Sequence, residues 1–121
     1  MKPKIADSEL EVMRLFWREK RPLSFKEIRT ELESTTKWSK STIQTFVTRL
    51  TDKGILSKRF HYVTLYSANV TEEEYVHAEE KIFLDKVYAG DAKNFVASLC
   101  QSGKLNEGDI DELRQFFKVE G

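Results

Sequence analysis

Apolar residues recur at helical intervals from Leu10, with Met13 and Trp17 on one stripe and Val12 and Phe16 widening it. Ser8 and Glu11 have the Ser-x-x-Glu spacing of a capping box, which places the start of this helix after Asp7-Ser8. Pro22 stops it, because a proline disfavours helical backbone in the residue before it. A second box, Ser24 with Glu27, opens a short helix marked by Phe25, Ile28 and Leu32, and the polar run 33–37 reads as its exit loop. Ser39 is an N-cap for a third helix whose core positions are Ile43, Phe46, Val47 and Leu50, and Gly54 is its left-handed end. The β-prone runs 55–60 and 63–68 follow, joined by a short turn at His61-Tyr62, and predict a hairpin.

From Thr71 onward the pattern is helical throughout. Thr71 and Glu74 form a third capping box, and the helix they open runs to about Ala89, ahead of Gly90. Tyr75, Ala78, Ile82 and Phe83 make one stripe, which Leu84, Val87 and Tyr88 continue. A further helix carries Ala92, Phe95, Val96, Leu99 and Cys100 until Ser102-Gly103 breaks it. A last one begins at Asn106 and carries Ile110, Leu113, Phe116 and Phe117. The expected fold is therefore mostly α with a small β-hairpin wing. It comprises an N-terminal winged helix-turn-helix over residues 1–70 and three helices over residues 71–121.

Charge divides at the same place. Residues 1–70 hold 14 Lys and Arg against 8 Asp and Glu, and residues 71–121 hold 6 against 12. A basic half joined to an acidic half suits a polyanion-binding module attached to a part that avoids the polyanion. Hydrophobic content of 40% with 33% charged residues describes an ordered, water-soluble chain. No stretch approaches the roughly 20 apolar residues that span a bilayer. The basic start Met1-Lys2-Pro3 leads directly into a charged segment without the apolar core of a signal peptide, so the expected location is the cytoplasm.

The third helix carries the most chemistry. Opposite its core stripe lie Ser41, Thr42, Gln44, Thr45, Thr48 and Arg49, with Lys40 in the first turn, Lys53 at the end and no acid before Asp52. Gln can pair with adenine, Arg with guanine, and Thr methyls can meet thymine methyls in a major groove. Hydroxyls and free backbone N–H groups at a helix start also suit phosphate oxygens. Ser and Thr are mediocre helix formers, and an idle solvent face would ordinarily carry Glu, Lys and Ala. The hairpin adds Lys58, Arg59, His61 and Tyr62 near its tip as backbone contacts, while Phe60 is expected to pack.

Other chemistry finds little support. His61, His77 and Cys100 lie far apart without ligand spacing, so neither a metal nor another cofactor is expected. Cys100 reads as a small buried apolar residue, the alternative being a reactive thiol. The acids Asp109, Asp111, Glu112 and Glu72 to Glu74 sit in first helical turns, where they offset the helix dipole. No nucleophile with a base and no phosphate-cradling glycine loop is present, so an enzyme is not expected. The second half has too few residues to enclose its large side chains alone. Pairing with an identical copy solves this and matches a palindromic site, the alternative being packing onto the first half. For the whole chain the alternative to DNA binding is a winged helix used for protein assembly.

The series Asp7-Ser8-Glu9-Leu10-Glu11-Val12-Met13 with Trp17, Trp38-Ser39, Thr42-Ile43 and Thr48-Arg49-Leu50 through Lys53-Gly54 resembles the penicillinase-repressor family of the BlaI, MecI and CopY type. The resemblance continues through Tyr66, Glu73-Glu74-Tyr75, Lys86-Val87-Tyr88 with Gly90, and Ile110-Asp111-Glu112-Leu113. It implies an N-terminal winged helix, a C-terminal helical dimerisation domain, and homodimeric repression at palindromic operators, often with TACA/TGTA elements. Thr42, Thr45 and Arg49 match positions that the family uses for DNA. The expected pairing residues are Leu84, Val87, Tyr88, Phe95, Leu99, Ile110, Leu113, Phe116 and Phe117. In the β-lactam branch a membrane sensor-protease signals cleavage within the dimerisation domain. The family's Asn–Phe bond falls here at Ser98–Leu99, a departure from the pattern, with Asn94-Phe95 four residues earlier. The paired Cys-x-Cys motifs of the copper branch are absent from the tail 117–121.

Overall fold

The computed structural model describes residues 4–118; Met1-Lys2-Pro3 and Val119-Glu120-Gly121 lie outside the described residues. The order is α1 (Asp7–Glu19), β1 (Leu23–Ser24), α2 (Phe25–Thr35), α3 (Lys40–Asp52), β2 (Leu56–His61), β3 (Val63–Ala68), α4 (Glu72–Tyr88), α5 (Ala92–Gln101) and α6 (Glu107–Lys118). Two compact units emerge, one ending at Tyr75 and the other beginning at Val76, so the division falls inside α4.

In the first unit, Val12, Met13, Leu15 and Phe16 of α1 are buried with Ile28 and Leu32 of α2, Ile43, Val47 and Leu50 of α3, and Leu23, Leu56 and Tyr66 of the sheet. Each helix thus contributes one face, as its 3.6-residue spacing dictates. Trp38 caps the core edge with its ring 4.9 Å from that of Phe46, nearly edge-on. The first turn of α4 joins this unit through Tyr75, whose ring lies 5.5 Å from Trp17. The Trp17 indole N–H donates to the Val70 carbonyl at 2.8 Å.

The sheet has three antiparallel strands in the order β1-β3-β2. β1 was not expected: two residues carry no periodicity of their own, and only the pairing Leu23↔Tyr66 and Ser24↔Leu65 makes them a strand. The hairpin is tighter than the sequence suggested, with only Tyr62 between His61 and Val63, at φ 62. Phe60 does not pack. It shares the sheet face of Leu56 and Tyr66, but β2 leaves the core after Leu56, and Phe60 is 75% exposed.

Two helix ends also differ from expectation. The first helix does not use Ser8 and Glu11. It is entered through Ala6, whose N–H donates to Glu9 at 3.0 Å, so the N3 glutamate supplies the back-reaching half of a capping box and alanine has no side chain to supply the other. α2 continues through Thr35 because the hydroxyls of Ser34 and Thr35 bond back to the Glu31 carbonyl and that of Thr36 to Leu32, at 2.6 to 3.1 Å. The box at Ser24 and Glu27 is present in both directions.

Thr71 with Glu74 opens α4 while still in the first unit; in the second, Asp91 caps α5, and Asn106 exchanges bonds with Asp109 at the start of α6. Phe83, Tyr88 and Phe95 cluster at centroid distances of 5.2 to 5.9 Å. Much of the remaining apolar surface stays uncovered within the chain. Ile82, Phe83, Val87, Val96, Leu113, Phe116 and Phe117 are all exposed. Cys100, expected to be buried, is exposed on α5. No helix among the described residues is long and apolar enough to cross a membrane.

Candidate nucleic-acid interface

Both ends of α3 are defined by local hydrogen bonding. The Ser39 hydroxyl accepts from the Thr42 N–H at 3.2 Å and donates to the Thr42 hydroxyl at 3.0 Å. At the other end Gly54, at φ 78, bonds its N–H to the Thr51 carbonyl, and the Ile55 N–H reaches the Leu50 carbonyl at 2.9 Å. That pair of bonds is a Schellman closure, with Leu50 and Ile55 both buried as its hydrophobic clasp. The chain then enters β2 directly, so one turn links the helix to the wing.

Ile43, Val47 and Leu50 are wholly buried, which turns the opposite face of α3 to solvent. Lys40, Ser41, Gln44, Thr45, Thr48 and Arg49 are all exposed there. Their polar groups are already arranged along the helix. Gln44 donates to the Thr48 hydroxyl at 3.2 Å, and the Thr45 hydroxyl donates to the Ser41 carbonyl at 2.9 Å. Thr42 is half-buried, with both its hydroxyl and its backbone N–H engaged by the Ser39 cap, so its methyl is the freer group. Among the described residues no ion pair engages Lys40, Arg49, Lys58 or Arg59. The wing brings Lys58, Arg59 and His61 into solvent beside Tyr62.

Lys53 leaves the expected face. Its ammonium is 2.6 Å from the Glu9 carboxylate and 2.9 Å from the Lys4 carbonyl, so it ties the end of α3 to the start of α1. Sequence reasoning had no signal for this pairing, since the partners are 44 residues apart. Burial by itself would raise the Glu9 carboxyl. The Lys53 hydrogen bond, the Ala6 N–H and the charges of Lys53 and Arg49 outweigh it and hold it below its ordinary value. Among the described residues no group of three or more His, Cys, Asp or Glu comes together as a metal site.

Three packed helices, a three-stranded sheet and a projecting hairpin, with the polar face of the third helix turned outward, define a winged helix-turn-helix protein. The penicillinase repressor family model matches residues 5–118, and the chain belongs to that family. It is 33% identical over 117 residues to the penicillinase repressor of Bacillus licheniformis, covering 96% of this chain and 91% of that one. The Staphylococcus aureus penicillinase repressor is 34% identical, with 91% and 87% covered. The methicillin resistance regulatory protein MecI of Mammaliicoccus sciuri is 32% identical, with 91% and 89% covered. Among solved structures, the DNA binding domain of the repressor BlaI matches with TM-score 0.55 and 39% identity, covering 62% of this chain and 92% of that one. The monomeric form of Bacillus licheniformis BlaI in complex with the blaP half-operator matches with the same TM-score and coverage at 38% identity.

Proposed function

We propose that this chain is a homodimeric, cytoplasmic transcriptional repressor of the β-lactam-resistance type that binds palindromic operator DNA. Residues 1–70 are the DNA-binding part and residues 71–121 the pairing part. The observation that carries the reading is the outward face of α3: Lys40, Ser41, Gln44, Thr45, Thr48 and Arg49 exposed in one acid-free row over a fully buried opposite face. Arg49 and Gln44 read base edges, Thr42, Thr45 and Thr48 add methyl and hydroxyl contacts, and Lys40 with Ser41 meets phosphate at the helix start. Lys58, Arg59 and His61 hold the backbone beside the groove. The names of the curated relatives and the half-operator complex of BlaI support the same reading. A protein-assembly role would need aromatic anchors on the α3 face, which has none.

Among the described residues the pairing part carries eight of the eleven large exposed apolar side chains, more than three short helices leave uncovered in a lone monomer. A membrane sensor-protease system then relieves repression by cutting the pairing part at Ser98–Leu99. That bond lies inside α5, with the Ser98 carbonyl accepting from the Ser102 N–H at 3.0 Å and the Tyr88 hydroxyl bonded to Ser98 at 3.1 Å. Cutting therefore requires local opening of α5.

The test is a gel shift with a duplex of the promoter region of the chain's own gene, repeated across a salt series. Retardation that weakens roughly a thousandfold or more between about 50 and 200 mM salt is the expected result for six or more phosphate contacts. Absence of retardation at low salt would overturn the reading.

A further inference from the structure

One buried charge has no part in the DNA contact proposed above. Glu9 is 1% exposed and is the only charged residue buried among the described residues. An apolar side chain at such a position would fill the core without the desolvation of a carboxylate. The glutamate is instead held by directed bonds. Its Oε1 accepts from the Ala6 N–H at 3.0 Å and from the Lys53 ammonium at 2.6 Å. The same ammonium donates to the Lys4 carbonyl at 2.9 Å.

Lys53 stands where its anchoring reaches the polar row of α3. It is the C-cap of that helix, and its own N–H donates to the Arg49 carbonyl at 3.0 Å. The buried Ile43, Val47 and Leu50 hold α3 by apolar contact, which is non-directional and permits small rolls of the helix about its axis. An ion pair to a carboxylate already fixed by Ala6 is directional, and it removes that freedom at the Arg49 end. The Glu9 charge also offsets the repulsion between Arg49 and Lys53, which lie four residues apart on one helix. We infer that Glu9, acting through Lys53, is a positioning residue that sets the roll of α3 and the aim of Arg49, and so raises discrimination between operator and other DNA. Buried as it is, Glu9 touches no DNA itself. This rests on the DNA-binding reading above.

The experiment compares wild type, Lys53→Arg, Glu9→Gln and the double variant Glu9→Leu with Lys53→Met. Melting temperature is measured for each, with affinity for the promoter duplex and for a scrambled duplex across a salt series. The double variant replaces a buried ion pair by apolar contact, so its melting temperature is expected to equal or exceed that of wild type. Its promoter-to-scrambled affinity ratio nevertheless falls about tenfold, nearly all of it on the promoter side. The salt slope on scrambled DNA stays unchanged, because Lys53 neutralises no phosphate. Lys53→Arg keeps the pair and the wild-type ratio. Glu9→Gln, assayed well below its own melting temperature, loses the ratio as the double variant does. A stable double variant with the wild-type ratio would reduce the pair to a structural role and leave the DNA reading standing. The wild-type ratio in folded Glu9→Gln would do the same. A wild-type protein that retards neither duplex at low salt would overturn the DNA reading itself.

Discussion

Glu9 and Lys53 meet at 2.6 Å, with the glutamate 1% exposed and the lysine at the last turn of α3. The pair fixes the helix that carries the exposed polar row against the helix that starts the fold. It also withdraws one cation from the surface. A buried pair is costly to break from one side, because the survivor keeps its desolvation penalty. Glu9→Ala is expected to destabilise the chain by about 3 kcal/mol in urea unfolding. A loss too small to measure would show that water already screens the pair.

Acid should act through the same carboxylate. Glu9 and Glu27 both titrate below their ordinary value of 4.5 in the folded chain. The Arg21 hydrogen bond and the Ser24 N–H cause the shift at Glu27, and for Glu9 the Lys53 and Ala6 bonds outweigh burial. Groups with depressed folded values add stability that is complete above the unfolded value and disappears as pH falls through the folded one. Unfolding free energy should therefore be flat near neutrality and decline below pH 4.5. In Glu9→Gln the decline should be shallower; an unchanged profile would remove Glu9 as its source.

The first three helices were readable because each buries one stripe against a shared core, and several helix caps are local: Ser24 with Glu27, Ser39 with Thr42, Thr71 with Glu74. What escaped depends on distance. Lys53 looked like a surface cation because its partner is remote in sequence, and Leu23–Ser24 becomes a strand only beside Tyr66 and Leu65. Phe60 shows the limit of alternation, which tells which sheet face a residue occupies but not how far the core extends beneath it. In the candidate interface the exposed row of α3 follows from helical geometry, while the commitment of Thr42 to the Ser39 cap does not.

Gly54 offers a test of the link between α3 and the wing. It sits at φ 78 with nothing within 4 Å of where a Cβ would be, so substitution costs backbone strain and no clash. Gly54→Ala should lower stability by about 1 kcal/mol, measured by thermal melting, without changing the helical content seen by circular dichroism. A neutral effect would mean that the turn relaxes away from the left-handed region.

Arg49 is exposed, makes no ion pair among the described residues and is central on the polar face of α3. Loss of one bidentate base contact corresponds to about 1–3 kcal/mol, or roughly a 5- to 150-fold fall in affinity. Arg49→Ala should lose that much on the promoter duplex and much less on a scrambled one, with its melting temperature near that of wild type. Equal losses on both duplexes would assign Arg49 to phosphate instead.

Phe116 and Phe117 end α6 with 70% and 73% of their surfaces exposed, beside the exposed Leu113. Helical spacing puts Leu113, Phe116 and Phe117 on one side of α6, with Ile110 a turn earlier and half-buried. A side of this kind is covered when two copies meet, and a charge placed in it would be desolvated without a partner. If the proposed dimer forms through this side, Phe116→Asp should shift it to monomer in sedimentation equilibrium, while circular dichroism stays helical because the ring is mostly exposed within the chain. Affinity for a full palindrome should fall with the dimer, and affinity for a half-site should not. A variant that remains dimeric would move the pairing surface off α6, to the exposed Ile82 and Val87 of α4.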